Sequence, residues 1–78
     1  MELRLESEKP IYVQLSEWLS DMIISGAIPE GEQIPSTTEI SIGYKVNPAT
    51  ALKGINMLVD KGVIFKKRGL GMFVSVGA

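Results

Sequence analysis

Two strong helix-start signals lie close together in the middle of this chain, and they constrain its fold more than any other feature. The first is Ser36-Thr37-Thr38-Glu39, a capping box in which the serine oxygen accepts from a backbone amide and the glutamate reaches back. The second is Asn47-Pro48, with asparagine as N-cap and proline at the first helical position, where its missing N–H costs nothing. The interval holds a short helix and a turn of about three residues, which predicts a helix-turn-helix.

A further helix is predicted before this pair. Pro10 stands at its first turn, and Gly26 is a natural C-terminal stop. The apolar residues between them recur at a spacing typical of one helix face: Ile11, Leu15, Leu19, Met22 and Ile23, with Trp18 beside them. Residues 26–35 are rich in turn formers, and we expect a short extended piece near Gln33 and Ile34.

The second half of the chain predicts a longer helix followed by a hairpin. The helix begins at Asn47-Pro48, ends at Lys61-Gly62 and places its apolar residues on one face: Ala51, Leu52, Ile55, Leu58 and Val59. Residues 63–65 and 72–76 are strand candidates, separated by a basic, glycine-bearing tip over 66–71. The predicted fold class is therefore mainly α with a small β-hairpin.

Length and composition limit what such a chain can do. Its 78 residues amount to one domain over 1–78, and 45% hydrophobic with 22% charged residues is typical of a globular chain. The sequence contains no cysteine and no histidine, which removes thiolate chemistry and the commonest general base and metal ligand. No apolar run is long enough to span a bilayer. The acidic segment 2–8, where Leu3 and Leu5 allow at most a short strand, is unlike a signal peptide. We expect no enzymatic activity, no metal and no cofactor.

The charge of the chain is unevenly distributed. The formal net charge is −1, which by itself does not point to a nucleic-acid partner. Residues 1–38 carry a net charge of −5, however, and residues 39–78 carry +4. Such a split is a recognised sign of a surface that faces a polyanion, although a chain with both signs on its surface can also show uneven halves by chance.

The first turn of the helix after Asn47 is one candidate nucleic-acid contact. A helix that follows a tight turn can enter the major groove, which is about 12 Å wide. The groups expected to face it are Asn47, Pro48, Ala49 and Thr50, with Lys53 one turn further on. The free amides and dipole of a helix N-terminus also attract phosphate. The alternative is that Asn47-Pro48 is only a good cap, because helix pairs of this kind also occur as plain helical packing.

The hairpin tip is a second candidate contact. Lys66, Lys67 and Arg68 place three cations in succession, and Gly69 and Gly71 allow the backbone to approach a sugar-phosphate edge closely. An arginine there can enter the minor groove, where the potential is most negative. The alternative is that these charges only protect a hairpin edge from aggregation. A helix-turn-helix together with a basic hairpin is far more specific than either feature alone.

At this point the sequence resembles the GntR-type bacterial transcription regulators. Five ordered motifs spanning residues 10–74 carry the resemblance: Pro10-Ile11-Tyr12-x-Gln14-Leu15, Gly26-Ala27-Ile28-x-x-Gly31, Ile34-Pro35-Ser36-x-x-Glu39-Ile40, Val46-Asn47-Pro48-Ala49-Thr50 and Lys67-Arg68-Gly69-x-Gly71-Met72-Phe73-Val74. The Asn-Pro-Ala-Thr helix start looks most like the YtrA-type branch. The resemblance implies a winged helix-turn-helix with three helices, whose wing is the 63–76 hairpin. It also implies a cytoplasmic repressor that binds double-stranded DNA at a palindromic operator as a homodimer.

The resemblance also implies which segments touch DNA. They are Ser36, Thr37 and Thr38 at the start of the second helix, Asn47 through Thr50 at the start of the third, and Lys67 through Gly71 in the wing. Many members of the family have arginine where this chain has Thr38 and Pro48, so the bidentate guanine contacts of those arginines are missing here. The family often has glycine where this chain has Lys45, which suggests another turn geometry or a phosphate contact.

Two further expectations concern the C-terminal domain of the family and a competing function. Family members carry a C-terminal effector or dimerisation domain that this sequence lacks, so we expect either an excised DNA-binding domain, which we favour, or a natural stub, and this chain can be monomeric alone. The competing hypothesis is a winged helix that serves as a protein-interaction module without DNA readout, with Trp18 and Tyr12 on the partner surface. Core packing of Trp18 beside Leu15 and Leu19 is the simpler interpretation of that residue.

Overall fold

Three α-helices and a two-stranded antiparallel hairpin follow one another along the part of the chain that the structure describes. The structure is a computed structural model, and it describes residues 9–77; the short strand considered at Leu3 and Leu5 lies outside them. The elements are α1 (Ile11–Ile24), α2 (Thr37–Tyr44), α3 (Pro48–Asp60), β1 (Ile64–Lys67) and β2 (Gly71–Val74). The predicted fold class is confirmed.

Helix α1 provides the central surface of the core. The helix ends at Ser25, whose N–H donates to the Asp21 carbonyl, and the Gly26 N–H donates to the Ile23 carbonyl; Gly26 has a φ of +82°. A positive φ is what glycine tolerates without penalty, so Gly26 is the stop that the sequence predicted. Trp18 is buried, and its ring meets the Tyr44 ring edge-on at a centroid distance of 5.1 Å.

The core joins all the elements through buried apolar side chains. They are Leu15, Trp18, Leu19 and Ile23 of α1; Ile28 and Ile34 of the loop; Ile40 and Val46; Ala51, Ile55 and Leu58 of α3; and Ile64 and Val74 of the hairpin. Helix α3 packs against α1, α2 and β1. Its Gly54 lies so close to α1 that a Cβ there would sit 2.8 Å from the carbonyl oxygen of Tyr12.

Two residues that the spacing placed on apolar helix faces are not in the core: Ile11, the first residue of α1, is 42% exposed, and Leu52 of α3 is exposed as well. Leu52 was placed on the apolar face of α3 by its spacing, but it is 43% exposed, whereas Ala51 and Ile55 are fully buried. The physical reason is the narrowness of the buried stripe. At 3.6 residues per turn, Leu52 lies about 160° around the helix from Gly54, where α3 packs on α1, and so it falls outside that stripe.

The turn between α2 and α3 consists of Lys45, Val46 and Asn47. Lys45 has φ +54° and ψ +43°, the left-handed conformation that glycine adopts most easily. The Ser41 carbonyl accepts from the Val46 amide at 3.1 Å, and the Ser41 hydroxyl donates to the Val46 carbonyl at 2.7 Å. The expectation of another turn geometry at Lys45 is therefore wrong, because a lysine occupies the conformation that suits glycine.

The hairpin differs from its prediction in where its strands end. The register pairs Phe65 with Phe73 and Lys67 with Gly71, so strand pairing continues through Lys66 and Lys67. The prediction placed both lysines in the tip and extended the second strand to residue 76, whereas β2 ends at Val74. Cross-strand hydrogen bonding competes successfully with the turn propensity of the basic run, since only residues 68–70 are needed to close the hairpin.

Residues 31–34 add a third, strand-like piece beside β2. The Gly31 amide donates to the Val74 carbonyl, the Val74 amide to Glu32, and the Ile34 amide to Met72, all at 2.9–3.0 Å. Gln33 thereby forms a bridge with Phe73. This is the extended piece that Pro35 predicted, and it ties the loop before α2 to the wing.

Candidate nucleic-acid interface

The start of α2 is organised by its capping box. The Glu39 amide donates to the Ser36 hydroxyl at 3.0 Å, and the Ser36 amide donates to the Glu39 carboxylate at 3.1 Å. Ser36 and Thr38 are exposed, and Thr37 is half-buried. Since the box engages Ser36, the hydroxyl of Thr38 is the exposed side-chain group of this turn that remains for an outside partner.

The start of α3 is exposed as predicted, but its cap restricts what it can read. Asn47, Pro48 and Ala49 are exposed, and Thr50 is half-buried. The side-chain oxygen of Asn47 accepts from the Ala49 amide at 2.8 Å. A bidentate contact to adenine needs both the oxygen and the nitrogen of an asparagine amide. While the cap is in place, only the NH₂ group of Asn47 can donate to a base or a phosphate.

Lys53, one turn further on, is held by α1. Its Nζ lies 4.2 Å from the centroid of the Tyr12 ring, which is within the range of a cation–π interaction. The ammonium remains exposed and can still reach a phosphate. Its position beside α1 makes it a flanking charge of the α3 surface, next to Leu52 and Asn56, with which it lines a shallow groove.

The wing carries its cations in two different settings. The Nζ of Lys67 lies 4.6 Å from the Phe73 ring centroid and 5.7 Å from that of Phe65, and the two rings are 6.2 Å apart. Lys66 is its exposed neighbour on the strand, and Arg68 lies in the turn. The aromatic pair thus holds the Lys67 ammonium over one face of the hairpin, whereas the Arg68 side chain is exposed in the turn.

The wing tip is braced by a residue that sequence reasoning missed. Gln33 Nε2 donates to the carbonyl of Leu70 at 2.8 Å, which joins the loop before α2 to the turn of the hairpin. Gly71 has φ +123°, and a Cβ at this position would collide with the Gln33 amide nitrogen. Gly69 also has a positive φ, +79°, but faces open space. The two wing glycines are therefore needed for different reasons: Gly69 for the turn, and Gly71 also for the Gln33 brace. The sequence signal for the brace was only the extended piece around Gln33.

The three predicted contact segments belong to elements that meet at α3. The α2 start and the wing belong to elements that pack on that helix, and the α3 start follows the turn from α2. Within residues 9–77, no group of acidic side chains is arranged to hold a metal ion. In the same part of the chain, no helix combines the length and apolar character needed to cross a membrane.

The architecture defines a class of protein before any relative is considered. A helix-turn-helix made by α2 and α3, supported by α1 and followed by a hairpin that packs on the second helix of the pair, is a winged helix-turn-helix domain. Residues 11–74 match the family of bacterial regulatory proteins called the gntR family, and the chain belongs to this family.

Known proteins resemble both the sequence and the fold. The HTH-type transcriptional repressor YtrA of Bacillus subtilis is 31% identical over 72 residues, which cover 92% of this chain and 55% of the relative. A solved structure of YtrA from Sulfolobus acidocaldarius, a GntR-family transcription factor, is 32% identical with a TM-score of 0.86, covering 95% of this chain and 78% of that one. The AraR DNA-binding domain in complex with operator ORX1 is 29% identical with a TM-score of 0.86 over 96% of both chains.

The chain covers only part of the length of the curated relatives that it matches. The chain spans 62%, 28% and 55% of the lengths of three Bacillus subtilis regulators that it matches. The resemblance to the YtrA-type repressors is confirmed.

Proposed function

We propose that this chain is the DNA-reading domain of a transcriptional regulator, that it binds double-stranded DNA sequence-specifically, and that the regulator is a repressor. The observation that carries the proposal is the arrangement around α3: this helix has a capped, exposed start, and the wing that packs on it holds Lys66, Lys67 and Arg68 at the surface. A solved structure with the same fold is a complex of a DNA-binding domain with its operator.

The proposed contacts divide into those that position the domain and those that select a sequence. Lys66, Lys67 and Arg68 supply charge to the phosphate backbone, with Gly69 and Gly71 shaping the wing. Lys53 and the free amides of the α2 and α3 starts add further phosphate contacts. The residues placed against DNA at the helix starts are Ser36, Thr37, Thr38, Asn47, Pro48, Ala49 and Thr50. No catalytic role is proposed for any of them, in keeping with a family of regulators.

We propose further that the complete regulator is a cytoplasmic homodimer that binds a palindromic operator. One domain of this size offers few cations, and its net charge is −1, so the monomer alone should bind weakly. Two linked copies raise the effective concentration of the second binding event and thereby the apparent affinity. Helix-turn-helix dimers on half-sites about one helical turn apart satisfy this geometry.

The structure contradicts one argument for the alternative function, a protein-interaction module. Trp18, the residue offered for a partner surface, is 8% exposed and belongs to the core. Tyr12 is half-buried and carries Lys53 over its ring. Neither aromatic residue is presented as a free docking group.

Selection of bound duplexes from a random pool, with the chain fused to a dimerising coiled coil, tests the proposal. We expect a palindromic consensus and an affinity that falls steeply with salt, since each neutralised phosphate contributes about −0.9 to the logarithmic slope. Replacement of Lys66, Lys67 and Arg68 by alanine should weaken binding to all sequences and flatten that slope. Lys61→Ala, which removes one exposed cation at the far end of α3, is the control and should change little. Failure of the dimerised chain to bind any duplex at low salt would overturn the proposal.

A further inference from the structure

The exposed face of α3 carries a large apolar side chain close to the start of the helix. Ala49, Leu52 and Asn56 are all exposed and follow each other at intervals of three and four residues, so they form one stripe along the helix. Leu52 is the largest apolar group of this stripe, and 43% of it is exposed. Its neighbours in the shallow groove include Lys53 and Tyr12, which pair with each other.

Two polar side chains near the start of the helix, those of Asn47 and Lys53, already have partners within the protein. The side-chain oxygen of Asn47 caps the helix, and the ammonium of Lys53 is held over the Tyr12 ring. Pro48 and Ala49 have no polar side-chain atoms. The helix start therefore presents an apolar surface between a positive helix terminus and a flanking cation, a setting that suits the edge of a polyanion.

We propose that Leu52 is a specificity-determining residue that contacts the 5-methyl group of thymine in the major groove. The methyl group is the apolar feature that a base pair displays there, and it distinguishes thymine from the other bases. Burial of an exposed leucine against that methyl removes apolar area from water on both partners, which is favourable. The inference rests on the proposed function, because it requires α3 to enter the groove.

The chemistry predicts a property of the operator. Each half-site should contain a thymine at the position opposite the second turn of α3, and the preference should depend on the methyl group rather than on base pairing. Deoxyuridine pairs as thymine does but lacks the methyl, so its substitution isolates the contact. Loss of one buried methyl-sized group corresponds to a weakening of about fourfold per half-site.

The test is a double-mutant cycle that combines a change in the protein with the removal of one methyl group from the DNA. The selected operator is prepared with each thymine replaced in turn by deoxyuridine, and the dissociation constants of the dimerised wild type and of Leu52→Ala are measured. We expect one thymine per half-site at which uridine weakens wild-type binding about fourfold, whereas Leu52→Ala already binds more weakly and shows no response to uridine at that position. Leu52→Met, which keeps an apolar side chain of similar volume, should retain the response.

Ile42→Ala is the matched control, because Ile42 is a 75% exposed apolar residue on α2. It should leave both the affinity and the uridine response unchanged. A uridine response of equal size in wild type and Leu52→Ala, or no uridine response at any thymine, overturns the inference while DNA binding itself persists. A change of oligomeric state in Leu52→Ala without any change in the uridine response also overturns it, in favour of a protein-facing surface. Absence of duplex binding by the wild type would instead defeat the proposed function.

Discussion

Gly54 allows α1 and α3 to approach closely, and its replacement by alanine tests whether that approach determines the packing of the domain. A Cβ at this position would lie 2.8 Å from the Tyr12 carbonyl oxygen and 3.3 Å from the Leu15 Cβ. Both obstacles belong to α1, and one of them is backbone. Leu15 is fully buried, so no flexible side-chain end can move aside, and the two helices must separate to admit the methyl group.

Two opposing terms set the magnitude of the effect. Alanine in place of glycine inside a helix favours folding by about 0.5–1 kcal/mol. Insertion of a methyl group into a packed interior costs about 1–3 kcal/mol, and we expect the upper part of that range because backbone is the obstacle. The net result should be a loss of about 1–2 kcal/mol, with the melting temperature falling by roughly 4–8 °C for each kcal/mol in a domain of this size.

Gly43 provides the matched control, since it is also a helical glycine but a Cβ there would meet nothing within 4 Å. Gly43→Ala should therefore raise the free energy of unfolding by about 0.5–1 kcal/mol. Urea and thermal unfolding of both variants, followed by far-UV circular dichroism, show whether each substitution lowers or raises the free energy of unfolding. If Gly54→Ala were as stable as the wild type or more stable, the close approach would not be a constraint on the fold.

Three further predictions concern local features of the backbone and the wing. Lys45→Gly should raise the free energy of unfolding by about 1 kcal/mol in urea, because it removes the cost of a left-handed lysine; no gain would contradict the conformation described for this turn. Ser36→Ala should lower the same quantity by about 1 kcal/mol through loss of the capping box, and an unchanged midpoint would show that the cap does not matter. Gly71→Ala should displace Gln33 from the Leu70 carbonyl and weaken DNA binding in fluorescence anisotropy, with Gly69→Asn as a control that tolerates a positive φ. Equal effects of the two wing variants would argue against the brace.

The sequence could predict the elements whose determinants are local. The α2 and α3 starts were correctly predicted because their caps act within one turn: the Ser36–Glu39 box and the Asn47 cap are both formed. Gly26 ended α1 for the same reason. Local signals of this kind do not depend on what the rest of the chain does.

The features that the sequence could not predict depend on contacts between distant segments. Periodicity placed Leu52 in the core, but the orientation of α3 is set by its packing on α1 through Gly54, which no local pattern records. The basic run looked like a turn, but pairing with β2 extends the strand through Lys67. The contact of Gln33 with Leu70 joins residues 37 positions apart.

Aromatic rings hold two of the cations of this interface in place before any DNA is bound. The ammonium groups of Lys53 and Lys67 rest on rings of α1 and of the wing, at 4.2 Å and 4.6 Å from the ring centroids. A lysine that is already restricted loses less side-chain entropy when it meets a phosphate, and immobilising a free one costs about 0.5–1.5 kcal/mol. A domain with a net charge of −1 cannot rely on its overall field to attract DNA. Placement of a few cations before binding is therefore the more effective use of the charges that it has.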